Sequence, residues 1–310
     1  GSALGGASNQ ASGLMAKFRN NKAVSGTTDF LYSNSLVAKV CFLILIIVIF
    51  VIALRLGSRF VMWALSPNKN PILVPGFINA TDPGTAGEIV MDPKKKNAKP
   101  VLRSVNEREG LEFTWSVWIY IDDHDINKDK YKHIFHKGNA ELDANGMIHP
   151  NNAPGLYIKP KEYGTGTNAD RLDLEVAMNT FSEINTDNAI MDKVTIREVP
   201  MYKWINIILR VSAQNQLDIY INGSLVKRHM LSGVPKQNYG DVYVSMNGGF
   251  SGFTSKLQYF NTAIGINKIQ GIIDSGPDMT MKSSGITKSV PQYLSTRWYM
   301  DGIIDGISGQ

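Results

Sequence analysis

Residues 204–230 read WINIILRVSAQNQLDIYINGSLVKRHM, and this stretch decides the fold. Two short runs rich in isoleucine, leucine and valine, 204–211 and 217–221, predict β-strands. Asn222-Gly223 follows the second run and is typical of a type I′ hairpin turn, in which both central residues have positive φ. Residues 225–230 then predict the return strand. The stretch therefore predicts neighbouring antiparallel strands.

The same pattern continues on both sides of this stretch. Along 113–120, Phe113, Trp115, Val117 and Ile119 alternate with the residues between them, which is a period of two rather than the 3.6 of a helix. Further strands are predicted at 131–137, 155–158, 172–178, 241–245 and 252–260. At least nine short strands separated by turn residues predict a mainly β protein, an antiparallel β-sandwich or jelly roll.

Three motifs in these strands resemble the laminin-G-like domain of the concanavalin A-like lectin/glucanase fold. They are Trp204-x-x-Ile-x-Leu-Arg210, Leu217-x-Ile-Tyr-Ile-Asn-Gly223 and Gly252-x-x-x-x-Leu-x-Tyr-Phe260. The resemblance covers residues 105–275 and implies a jelly roll in which a short helix follows the last strand. Residues 266–273 fit that helix.

An uninterrupted apolar block, VCFLILIIVIFVIAL at 40–54, lies between Lys39 and Arg55. Leu, Ile, Val and Phe each favour insertion by about 0.3 to 0.6 kcal/mol, so the block predicts one transmembrane helix within 36–65. Lys39 and Arg55 are expected to extend toward the headgroups. A buried core helix and a cleaved signal peptide fit less well, because no polar face and no cleavage site exist. The expected lipid-facing residues include Val40, Leu43, Ile47, Phe50 and Leu54.

The chain divides into five predicted parts: a flexible N-terminal arm (1–35), the transmembrane helix and its interfacial flank (36–65), a Pro-rich linker (66–105), the jelly-roll domain (106–275) and a C-terminal tail (276–310). The linker is expected to be extended because of its prolines, either as a spacer or along a partner. The tail is expected to dock on the sandwich or on a neighbouring protein.

The net charge of +5 lies beside the apolar block. Residues 1–65 hold six Lys or Arg and one Asp, so residues 66–310 are neutral. This distribution suits contact with a lipid bilayer and argues against nucleic acid as a partner. The one cysteine, Cys41, lies in the block, so the domain has no disulfide.

The sequence predicts no enzyme and no required cofactor. Glu141 and Asp143 lack the third carboxylate of the glycosidase pattern on this fold, and Asp173 and Glu175 are interpreted as a solvated pair. His133 and His136, three apart on a strand, are expected on opposite faces and at the surface. A calcium site needs carboxylates from loops, for which the weak candidates are Asp122, Asp123, Asp125 and Asp143; an ordinary hairpin loop is favoured for the first three.

Aromatic residues supply the predicted interaction sites. Alternation sends Trp115 and Trp118 to opposite faces, so one is expected in the core and Trp118 is a candidate for contact with a partner. Trp298 and Tyr299 in the tail are further candidates. An exposed aromatic at a concave sheet would suit glycans.

The segments 103–113 and 291–299 resemble those of single-anchor proteins from large double-stranded DNA viruses. That resemblance implies a non-enzymatic minor capsid protein, located in the virion between an internal membrane and the capsid, with other virion proteins as partners. The alternative is a membrane-anchored, lectin-like surface protein that binds glycans. The alternative predicts that the sequons at Asn79 and Asn222 are occupied.

Overall fold

The structure is a computed structural model that describes residues 36–66, 68–107, 110–125, 128–148, 151–160, 171–181, 190–280 and 293. Besides two short 3-10 helices, this part of the chain contains two α-helices and thirteen strands. In chain order they are α1 (Leu36–Leu65), β1 (Ile72–Asn79), β2 (Glu88–Ile89), β3 (Val105–Glu107), β4 (Gly110–Asp123), β5 (Lys132–Gly138), β6 (Asn152–Ile158), β7 (Arg171–Thr180), β8 (Ile190–Pro200), β9 (Trp204–Ser212), β10 (Gln216–Ile221), β11 (Ser224–Met230), β12 (Asp241–Val244), β13 (Ser251–Phe260) and α2 (Ile266–Ser275).

Helix α1 is the predicted apolar helix and forms a unit of its own. Its 27 residues from Lys39 to Leu65 are long and apolar enough to cross a membrane. They rise about 40 Å at about 1.5 Å per residue, against a hydrocarbon thickness of about 30 Å. Val40, Leu43, Ile47, Phe50 and Leu54 are all exposed, as a lipid-facing surface requires.

The strands form an antiparallel β-sandwich, as the sequence predicts. The large sheet has seven strands in the order β1-β13-β4-β9-β10-β11, with β3 paired to β4. The small sheet has six strands in the order β2-β12-β5-β6-β7-β8. The hairpin between β10 and β11 turns at Asn222 and Gly223, whose φ values of 47° and 82° are the positive ones expected of a type I′ turn.

The core lies between the inner faces of the two sheets. Phe113, Trp115, Val117 and Ile119 of β4 point into it, and the Trp115 ring stacks on that of Phe135 in β5 at 5.6 Å. The alternation seen in the sequence is therefore the inward alternation of β4. Burial of these large side chains contributes to the hydrophobic stabilisation of the sandwich.

The linker prediction for 66–105 needs a correction, because β1, β2 and β3 all lie in or at the end of this segment. Strand β1 pairs with β13 and contains Pro75. Proline removes a ladder donor, but β1 is an edge strand with an irregular register between Val74 and Phe77, and both features tolerate it. Its strands belong to the sandwich, and a short 3-10 helix at Gly84–Gly87 interrupts the extended chain. Strand β8 was also absent from the sequence prediction.

Candidate functional site

The outer face of the large sheet carries a cluster of Phe77, Trp118, Tyr120, Trp204 and Phe253, here called the aromatic face. Trp118 is 0% exposed, and its ring lies 5.0 Å from that of Tyr293, centroid to centroid. Ile273 of α2 packs against the same cluster.

Because Trp118 is buried, it cannot make the direct contact with a partner that the sequence predicts. The face assignment was right, since Trp115 lies in the core and Trp118 on the outer side. The chain's own helix α2 and Tyr293 cover Trp118, so a partner would meet these covering residues first. Trp298 and Tyr299 lie outside the described residues.

The outer face of the small sheet is polar, and most of it is also buried. Tyr131, His133, His136, Tyr157 and Glu175 form this polar face, beneath a loop of residues 139–148 whose Met147 and Ile148 pack on Tyr157. The prediction of separated surface histidines was wrong. His133 and His136 are 2% and 0% exposed, and His133 Nε2 lies 2.7 Å from His136 Nδ1. The β5–β6 register shifts between His133 and Phe135 and again after His136, so the period of two fails here.

The hydrogen bonds around this pair fix the ring protons. The Met246 backbone N–H donates to His133 Nδ1 at 2.9 Å, which leaves the proton on His133 Nε2 to donate to His136 Nδ1. His136 Nε2 in turn donates to the Asn139 carbonyl at 2.7 Å. Both imidazoles are therefore neutral. Burial holds the pKa of His133 well below its usual value and lowers that of His136 to about 4.

The carboxylates considered as catalytic or calcium-binding groups accept hydrogen bonds from nearby protein groups. Glu175 accepts from the hydroxyls of Tyr131 and Thr195, both at 3.2 Å, and Asp173 accepts from the Glu198 backbone N–H. Asp123 accepts from the Asp125 N–H, and Asp143 from the N–H groups of Asn145 and Met147. Among the described residues, no three His, Cys, Asp or Glu side chains converge as metal ligands. The calcium candidates Asp122, Asp123, Asp125 and Asp143 thus gain no support.

A cavity of about 360 Å³ opens at one end of the sandwich, where β4 begins and β13 ends. Its floor is aromatic: the rings of Trp115 and Tyr259 lie 5.0 Å apart, and Phe113 lines it beside them. The segment 234–239, reading VPKQNY, forms one wall. The volume is in the range of small-ligand sites.

The wall of the cavity is fixed by hydrogen bonds to three neighbouring elements. The Lys236 N–H donates to the Asn179 carbonyl at 2.8 Å, and the Phe181 N–H donates to the Val234 carbonyl at 2.9 Å. Asn238 Nδ2 donates to the Lys137 carbonyl at 3.0 Å, and Gln237 Nε2 donates to Ser104 Oγ. These hydrogen bonds hold the 234–239 wall in place against the neighbouring elements, so the shape of the cavity is preformed on this side.

Polar and aromatic groups line the cavity above its floor. Lys137 is 9% exposed and donates to the Gly240 carbonyl at 2.6 Å. Gln237 Oε1 is buried and accepts no hydrogen bond from the described residues. The Tyr239 side chain is 100% exposed. An aromatic floor with a few fixed polar groups is typical of a site for a small polar ligand.

Sequence reasoning missed this site. No role was predicted for the segment 234–239, and the other lining residues come from six separate stretches of the chain. The one local signal was a tyrosine beside two amides in a loop, Gln237-Asn238-Tyr239. Loops that carry such residues on a rigid scaffold are frequent binding elements.

The sequence matches no protein-family model and no curated protein sequence. Among solved structures, the chain is similar to the botulinum neurotoxin serotype D binding domain, with 13% identity and a TM-score of 0.39 over 56% of this chain and 39% of that one. The receptor-binding domain of the botulinum neurotoxin C/D mosaic serotype gives 12% identity and a TM-score of 0.38, over 53% of this chain and 36% of that one. Values this low carry no conclusion about function.

Proposed function

We propose that this protein is a membrane-anchored glycan-binding protein that binds a saccharide in the cavity at the end of the sandwich. The observation that carries the proposal is the combination of an aromatic floor, Trp115 and Tyr259, with the amides of Gln237 and Asn238 and the exposed Tyr239 ring. In this proposal the membrane anchor is helix α1, the one helix in the described part of the chain that is long and apolar enough to cross a membrane.

The chemistry of the lining suits a sugar. One face of a sugar ring consists largely of C–H groups, which pack on aromatic rings, while its hydroxyls need both donors and acceptors. Gln237 Oε1 is a buried acceptor that lacks a donor among the described residues, and such a group gains most from a ligand hydroxyl. A purely apolar ligand would leave it unsatisfied.

A glycan array tests the proposal with the full chain in detergent micelles. The array carries neutral, uronic-acid and sulfated oligosaccharides. We expect binding to at least one saccharide class, reduced about tenfold by Tyr239→Ala, because this substitution removes an aromatic contact worth about 0.5–1.5 kcal/mol beyond its buried area without touching the core.

The matched control is Leu225→Ala, which truncates another exposed apolar side chain on β11, outside the cavity lining. This variant should bind as the wild type does. Binding of no saccharide by folded wild-type protein would overturn the proposal. Equal loss in both variants would show that the effect does not arise in the cavity.

A second candidate is the structural role in a virion, a minor capsid protein that connects an internal membrane to the capsid. The observation that favours it is the edge strand β11, whose Leu225 and Met230 are 46% and 55% exposed. An exposed edge strand presents unpaired backbone groups to which another protein can add a strand.

Cross-linking separates the two candidates. A photoreactive residue at position 225 in the full chain should cross-link to a capsid protein in purified particles if the second candidate is right. Absence of the chain from purified particles would exclude it, whereas saccharide binding in the cavity would leave the first proposal in place.

A further inference from the structure

The cavity lining is positively charged. Of its described residues, Arg103, Lys137 and Lys236 are cationic and none is acidic. Residues 66–310 as a whole are neutral, so this concentration of one sign is local. A concave site lined by one sign of charge concentrates ligands of the opposite sign.

Lys137 is the most informative of the three cations. It is 9% exposed, and among the described residues its ammonium donates one hydrogen bond, to the Gly240 carbonyl. An ammonium has three N–H donors, so two remain for a ligand. Burying an ammonium without an anionic partner in contact is costly, and an anion bound in the cavity would offset that cost.

Asp241 is a counter-charge that acts on Lys137, but it does not fill this role. Its carboxylate accepts from the Met91 N–H at 2.8 Å, and it forms no ion pair with Lys137 among the described contacts. Burial lowers the pKa of Lys137 to about 8, and Asp241 opposes that shift only in part. Lys137 is therefore still mostly charged at neutral pH.

The other two cations lie around the same opening. Arg103 is exposed, and Lys236 Nζ lies 6.0 Å from the centre of the Phe181 ring, itself a lining residue. Arginine can hold a carboxylate or sulfate through two parallel hydrogen bonds. The charges thus come from three elements that meet at one cavity.

We infer that the cavity binds an acidic saccharide, in which a carboxylate or sulfate meets Lys137 and Arg103 while the ring packs on Trp115 and Tyr259. The inference rests on the proposed glycan-binding function and narrows it to one chemical class. A hydroxyl of the same sugar donates to Gln237 Oε1.

The test compares matched pairs of saccharides on the array, each neutral oligosaccharide beside its uronic-acid or sulfated counterpart, with the full chain in micelles at two salt concentrations. We expect the acidic member of at least one pair to bind about tenfold or more tightly, because hydrogen bonds to a charged partner are stronger than those between neutral groups. The preference should weaken at high salt.

Two variants locate the preference. Arg103→Gln and Lys137→Met should each reduce the ratio of acidic to neutral binding several-fold, while Lys95→Gln, which removes an exposed cation outside the cavity lining, should leave it unchanged. Arg103 is exposed, so its variant tests the inference even if Lys137→Met fails to fold.

The outcomes separate the inference from the function on which it rests. Equal binding of neutral and acidic members would overturn the inference and leave glycan binding standing. An acidic preference that Arg103→Gln and Lys95→Gln reduce equally would also overturn it, because the charge effect would then be general. Binding of no saccharide would overturn the proposed function itself.

Discussion

The two outer faces of the sandwich are both covered by other parts of the chain but differ in chemistry. On the large sheet, the aromatic face packs against α2 and Tyr293 through rings and aliphatic side chains. On the small sheet, the polar face packs beneath the 139–148 loop through a chain of hydrogen bonds that requires neutral histidines. Burial alone therefore does not determine how a face responds to pH.

The aromatic face depends on area and dispersion, neither of which changes with pH. The polar face depends on the state of two titratable rings, because a proton on His133 Nδ1 would remove the acceptor for the Met246 N–H. We therefore expect the first face to contribute more stability at neutral pH and the second to lose its contribution in mild acid. Four predictions follow from this difference, in order of effect.

The largest effect should come from Trp118→Ala on the aromatic face. The substitution removes a fully buried indole that contacts Tyr293, and large-to-small changes of this kind cost about 3–5 kcal/mol. Urea unfolding of the full chain in micelles, followed by fluorescence, measures the change in the free energy of unfolding. The matched control is Trp63→Ala in α1, an exposed tryptophan in a separate unit, which should leave the unfolding midpoint of the sandwich unchanged.

The next effect concerns pH and the polar face. Above the usual histidine pKa of about 6.5, His133 and His136 are neutral in both folded and unfolded states, so their hydrogen bonds contribute in full. Below it the unfolded chain binds protons that the folded chain excludes, so stability falls as pH falls. The decline should begin near pH 6.5, and for His136 it should end near pH 4, where this ring titrates in the folded state.

His136→Gln provides the check on that slope. We expect lower stability at pH 8, since hydrogen bonds are lost, but a shallower decline between pH 6.5 and 4 than in the wild type. The matched control is His229→Gln, a histidine of β11 outside the polar face, which should keep the wild-type slope. An unchanged slope in His136→Gln would contradict the neutral-pair assignment.

The sequence predicted correctly the features that depend on local residue patterns. The nine predicted strands, the type I′ turn and both helices are present, and Trp115 and Trp118 do lie on opposite faces. These features are local, since a side chain's face follows from its place in a strand.

What alternation could not predict depends on contacts between distant segments. A register shift in β5 brings His133 and His136 together, and an edge position accommodates Pro75 in β1. The cavity is harder still to predict from the sequence. Its lining combines residues from 101 to 259, which come together only through the topology of the whole sandwich. The outer-face histidines were expected to be solvated. They are buried because the 139–148 loop covers the polar face.

A smaller effect should come from Tyr157→Phe, which keeps the ring on the polar face and removes its hydroxyl. That oxygen accepts from Asn152 Nδ2 at 2.8 Å and from the Ile148 N–H at 3.3 Å. Leaving buried donors unsatisfied costs about 1–3 kcal/mol, and the loss should appear in the urea midpoint at neutral pH. Tyr239→Phe changes the same hydroxyl on a fully exposed ring and should have no measurable effect; equal losses in the two variants would show that the buried network contributes nothing.

The smallest effect tests the loop that covers the polar face. Asp143 Oδ1 accepts from the N–H groups of Asn145 and Met147 at 2.9 and 2.8 Å, so Asp143→Ala should destabilise by about 1 kcal/mol. Asp129→Ala, at an exposed aspartate in the turn before β5, is the matched control and should be neutral. Because this carboxylate already satisfies the loop backbone, adding calcium should leave the wild-type midpoint unchanged. A calcium-dependent rise in the wild type that disappears in Asp143→Ala would instead make Asp143 a metal ligand and would change the account of how the loop is held on the polar face.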